Sequence, residues 1–95
     1  MFRLRIAAAA RADMDSIADF IRRDNPVRAE SFIEEVARKI ETIAERPMSF
    51  PLRTDLEGSF RSALHGSYLV IFGVRDEEVV IARVVHGARD IENLL

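Results

Sequence analysis

Tyr68-Leu69-Val70-Ile71-Phe72 and Val79-Val80-Ile81-Ala82-Arg83-Val84-Val85 are two apolar, β-branched runs. The polar stretch Arg75-Asp76-Glu77-Glu78 falls between them. Apolar runs of this length, separated by a short polar segment, read as neighbouring strands of a hairpin. Phe60-Arg61-Ser62-Ala63-Leu64 extends the pattern upstream, and His65-Gly66-Ser67 supplies its turn. Three consecutive strands with short turns make an antiparallel meander. His86-Gly87-Ala88-Arg89-Asp90 follows the last strand at once. The stretch thus offers Tyr, Arg and His side chains from a strand end and its exit loop, an inventory suited to gripping a phosphate or an acidic partner.

Upstream of the meander, Met48 to Ser59 contains Pro51 and Gly58 and reads as a loop, too irregular for a central strand. Before it stand two helical patterns. Ala10, Met14, Ile17, Ala18 and Ile21 form one apolar stripe, with Phe20 at its edge. Acids lie early in this segment and Arg22 and Arg23 late, which complements the helix dipole. Asp24-Asn25-Pro26 stops that helix and starts another, since Asn caps well and Pro fits the first helical position. The second stripe runs through Ala29, Phe32, Ile33, Val36, Ala37, Ile40, Ile43 and Ala44 to about Arg46, where Pro47 ends it. At the start of the chain, Phe2-Arg3-Leu4-Arg5-Ile6 alternates with the period of a strand. Residues 1–95 therefore read as a single α+β domain of order β-αα-βββ: an N-terminal strand, an αα-hairpin and a three-stranded antiparallel meander in a two-layer sandwich.

Composition narrows the function. The chain is 48% hydrophobic and 32% charged, a globular balance. It has no cysteine and two histidines, which argues against a disulfide framework and a metal site. No apolar run is long enough to span a membrane, and the first residues lack the apolar segment of a signal peptide, so a cytoplasmic protein is expected. Fourteen basic residues against sixteen acidic ones give a net charge of −2. A net acidic chain is a poor bulk binder of nucleic acid, so sequence-specific nucleic-acid binding is not expected and any anion contact must be local.

Six short motifs, in order and spread over nearly the whole chain, resemble the ParE branch of the RelE/ParE superfamily of bacterial toxins. They are Ala10-Arg11-Ala12-Asp13-Met14-Asp15-Ser16-Ile17, Asn25-Pro26-Val27-Arg28-Ala29-Glu30-Ser31-Phe32, Ile43-Ala44-Glu45-Arg46-Pro47, Phe60-Arg61, Tyr68 to Phe72, and Val84-Val85-His86-Gly87-Ala88-Arg89-Asp90. Departures include Ala7 where the family often caps the first helix with Ser, and Phe72 where it often has Tyr. The resemblance implies the toxin of a type II toxin–antitoxin pair. Such a toxin needs no cofactor, is no enzyme, poisons DNA gyrase by binding it, and is neutralised by a small, partly disordered ParD-like antitoxin. The alternatives are a RelE-like ribosome-dependent messenger ribonuclease and a non-toxic relic that binds only its antitoxin.

Site residues follow from this resemblance and from the strand ends. Arg61, Tyr68, Arg83, His86 and Arg89 are the candidates for target contact, and Phe20, Phe50 and Phe60 for antitoxin docking. If the chain cleaves RNA, Arg61 and Arg83 on neighbouring strands would clamp a phosphate, with His86 as acid or base. Each has a plainer role: His86 as a structural hydrogen-bond donor, Arg61 as a brace of the sheet that pairs with an acid on the hairpin, Tyr68 as a half-buried core residue, Arg89 as the ion-pair partner of Asp90. Simple alternation puts Arg83 on one face with Ile81 and Val85, so its head either reaches a partner or pairs with an acid.

Overall fold

The computed structural model of the chain describes residues 2–87. The elements run β1 (Arg3–Ile6), α1 (Ala8–Asp24), α2 (Pro26–Glu45), a 3₁₀ turn (Pro47–Ser49), β2 (Phe60–His65), β3 (Tyr68–Arg75) and β4 (Glu78–His86). This is the β-αα-βββ order read from the sequence. Asn25 restarts the helical path as expected: its Oδ1 accepts from the Arg28 backbone N–H at 3.0 Å, and Pro26 occupies the first helical position. Ala7, at the start of α1, offers no side-chain cap.

The strand order is β1-β4-β3-β2. β2, β3 and β4 form the antiparallel meander, and β1 pairs with β4 in parallel, so the sheet is mixed. Both hairpins close in two residues, with Gly66 at φ 58° in the first and Asp76 at φ 57° in the second. Aspartate is among the few residues that accept that left-handed conformation.

Both helices pack on one face of the sheet. Ala10, Phe32, Val36, Ile40 and Ile43 meet Ala63, Val70, Phe72, Val79, Ile81 and Val84 in the main core. Ile33 and Ala37, part of the apolar stripe of α2, are exposed beyond the margin of that contact. The opposite face carries a smaller cluster of Ile71 and Val85, with Phe60 and Leu69 beside them, covered by Leu56 from the loop. That loop also runs along the outer edge of β2. Leu52 forms a bridge to Arg61, and the Arg53 N–H donates to the Phe60 carbonyl at 2.8 Å.

One irregularity in β4 changes the reading of its side chains. Phe72 pairs with Ile81, but Ile71 pairs with Arg83, so Ala82 is an extra residue in a β-bulge. Before the bulge Val79 and Ile81 face the helices; after it Val84 does, while Val85 joins the opposite cluster. Arg83 therefore does not share a face with both Ile81 and Val85, because simple alternation fails where the bulge inserts one residue.

Candidate functional site

The side chains with chemistry gather at the end of the sheet where β2 and β4 finish and β3 begins. Register places His65 opposite Tyr68 and Tyr68 opposite His86, so the three side chains line up across adjacent strands. Phe32 of α2 lies against them. Its ring meets Tyr68 edge-on at 5.4 Å between centroids and His65 at 6.2 Å, and Tyr68 meets His86 edge-on at 5.6 Å. Aromatic geometry of this kind fixes ring orientation as well as burying area.

A charged cluster closes the outer side. The His65 Nε2 lies 2.9 Å from Glu35 Oε1, and Arg28 grips the same carboxylate with two nitrogens at 2.9 and 3.3 Å. Arg28 also donates to the Ser31 hydroxyl at 2.8 Å. The Arg28 hydrogen bonds, then the His65 contact, hold the Glu35 carboxyl below its ordinary range. Between this cluster and the first hairpin turn is a cleft of about 330 Å³, lined by Ile21, Phe32 and Tyr68 together with Arg28, His65, Gly66 and Ser67. Sequence reasoning singled out Tyr68 and His86 here but not Arg28, Glu35 or His65. Glu35 and His65 lie 30 positions apart, so no local pattern joins them.

The remaining candidates lie elsewhere. Arg61 projects to the helix side, opposite Phe72, and its Nη1 donates to the Phe50 backbone carbonyl at 2.6 Å. This ties the loop down through a carbonyl, where the sequence had offered an acid as the partner. Arg83 meets Asp13 of α1: Nε to Oδ2 at 2.7 Å and Nη2 to Oδ1 at 2.9 Å, a two-point fork. Of the two readings left open for Arg83, pairing with an acid is the one observed. β3 lies between β2 and β4, so Arg61 and Arg83 are not on neighbouring strands, and register puts them on opposite faces. The phosphate clamp expected of that pair is absent because the meander interposes a strand. Arg89 and Asp90 lie outside the described residues.

The three phenylalanines are also dispersed. Phe20 is 62% exposed on α1. Phe50 packs edge-on against Phe72 at 5.9 Å, on the helix side. Phe60 belongs to the opposite face, where with Gly73, Val80 and Ala82 it lines a shallow apolar cleft of about 410 Å³. Among the described residues no cluster of His, Asp and Glu could hold a metal ion, and no helix is long and apolar enough to cross a membrane.

The β-αα-βββ order, with an αα-hairpin on one face of the sheet, agrees with the two-layer α+β fold of the small toxins that the sequence resembles. The profile of the family described as the ParE toxin of type II toxin–antitoxin system, parDE, matches residues 4–91. The chain belongs to the ParE toxin family. Its fold is similar to a solved structure titled as a chromosomal ParDE TA system from P. aeruginosa, at a TM-score of 0.79. That similarity covers 90% of this chain and 96% of the other at 20% sequence identity. A search of curated protein sequences finds no match.

Proposed function

We propose that this ParE-family chain inhibits DNA gyrase by binding it, in the cytoplasm, and is neutralised by a cognate ParD-like antitoxin. Family membership over residues 4–91 is the observation that carries this reading. The similarity to a structure titled as a ParDE system supports an antitoxin partner. Binding is favoured over RNA cleavage by the dispersal of Arg61, Arg83 and His86. Cleavage needs a base, an acid and cations converging on one phosphate. Here Arg61 holds a loop carbonyl, Arg83 holds Asp13, and His86 stands beside Tyr68 at the sheet end.

In this reading Tyr68 and His86 mark the target-facing end of the sheet, Arg89 is a further target contact, and exposed Phe20 is an anchor for the antitoxin. Packed Phe50 and Phe60 serve it only through their exposed edges. The test is supercoiling by purified gyrase with and without the protein, beside a translation reaction scored for message integrity. Lost supercoiling with intact message is the expected result. Cut message with normal gyrase would overturn the reading and turn attention to His65, Glu35, Arg28 and His86, which do share one end of the fold.

A further inference from the structure

β4 changes neighbours along its length. From Glu78 to Ile81 it is flanked by β1, and the Ala7 N–H closes that ladder on the Ile81 carbonyl at 2.9 Å. The chain then turns into α1, and beyond Ile81 no strand lies on that side of β4 among the described residues. A bulged edge with unpaired backbone groups frays, or recruits another chain. Here a side chain takes the strand's place. Asp13, in the second turn of α1, accepts from the Val84 backbone N–H at 2.9 Å through Oδ2, and the same carboxylate holds Arg83. Its side chain is only 16% exposed. One carboxylate thus fixes two successive residues of β4 just past the bulge and two positions before His86.

We infer that Asp13 is a positioning residue: it substitutes for the missing length of β1 and sets the register and direction of the last part of β4, and so where His86 meets the target. The inference rests on the reading that this end of the sheet contacts gyrase. Asp13 touches no proposed target surface itself; its effect passes through Val84. It follows that the hydrogen-bond acceptor matters at Val84 and that the negative charge is secondary there. Asp13→Asn keeps a side-chain oxygen of the right reach, whereas Asp13→Leu keeps the volume and loses the acceptor.

The experiment pairs amide hydrogen exchange with the supercoiling assay on the full chain. Asp13→Leu is expected to speed exchange at Val84 on the order of 100-fold while leaving Val70, inside the meander, unchanged, as for a local opening. Gyrase inhibition should weaken on the order of tenfold, since small displacements of contacting groups are costly. Asp13→Asn should restore both, a rescue that general loss of packing does not predict. The inference is overturned if Val84 in Asp13→Leu stays as protected as in wild type. It is overturned equally if inhibition is undiminished while Val84 exchanges freely, or if Asp13→Asn is as damaged as Asp13→Leu. A wild-type protein that leaves gyrase untouched would sink the gyrase reading instead, and Val84 exchange would still judge the local role of Asp13.

Discussion

The two faces of the sheet are built from the same strands yet covered by different means. On one face, two helices bring Phe32, Val36, Ile40 and Ile43 down onto Phe72, Ile81 and Val84, and most of these side chains are fully buried. On the other, among the described residues, a single loop residue, Leu56, covers Ile71 and Val85, and the strip past Phe60, Gly73 and Val80 forms a shallow cleft. A regular element with a 3.6-residue stripe buries its face along its whole length. An irregular loop buries only what one or two side chains reach. The helix face therefore holds the fold, and the loop face is left adaptable.

Truncation separates the faces most sharply. Phe72→Ala opens a cavity walled by helices that cannot collapse and should cost about 3–5 kcal/mol, whereas Leu56→Ala, under a loop free to settle, should cost about 2 kcal/mol. Equal shifts of the urea midpoint for the two variants would break the comparison. Arg61 comes next, because it stands on the helix face yet holds the loop through the Phe50 carbonyl. Arg61→Met should cost about 1.5 kcal/mol, the scale of a hydrogen bond from a charged donor, and speed proteolysis within 50–59. An Arg61→Met protein whose loop resists protease as wild type does would show that Leu52 and Leu56 suffice to hold it.

The smallest expected effect is in acid. Arg28 and His65 hold the Glu35 carboxyl below its ordinary value of 4.5, so its stabilising contribution is present above pH 4.5 and is lost as pH falls through the lower, folded value. Because this cluster joins α2 to the end of β2, acid should loosen the helix face first at that end. Glu35→Gln, which does not titrate, should flatten the acid limb of stability against pH and leave the neutral plateau little changed. An acid limb identical to wild type would assign the loss to other carboxylates.

Most of the fold was legible because its signals are local. Asn25-Pro26 announces a cap and restart, Gly66 and Asp76 sit where chain reversal needs them, and β-branched runs mark β3 and β4 within a residue or two. The site was less legible because it depends on pairings across the chain. Asp13 and Arg83 are 70 positions apart, and Glu35 and His65 are 30 apart; each residue alone looks like solvated surface. The bulge at Ala82 carries no composition signal, yet it reverses the face of every later side chain in β4. Tyr68 and His86 were accessible to sequence reasoning because each ends or begins a strand. Their alignment with His65 follows only once register is known.

The parallel pairing of β1 with β4 also sets a timetable. Arg5 and Glu78, paired across those strands, are 73 positions apart, and closing so long a loop must precede any gain from the contact. The local hairpins β2–β3 and β3–β4 need no such closure, so the meander and the helical hairpin form first and the opening strand docks last. A nascent chain would thus carry β1 unpaired until β4 has been made. It reaches its finished shape only after β4, the strand that ends at His86, has emerged. Pulse-labelled exchange during refolding should find amides of β3 protected before those of β1; the reverse order would mean that β1 seeds the sheet.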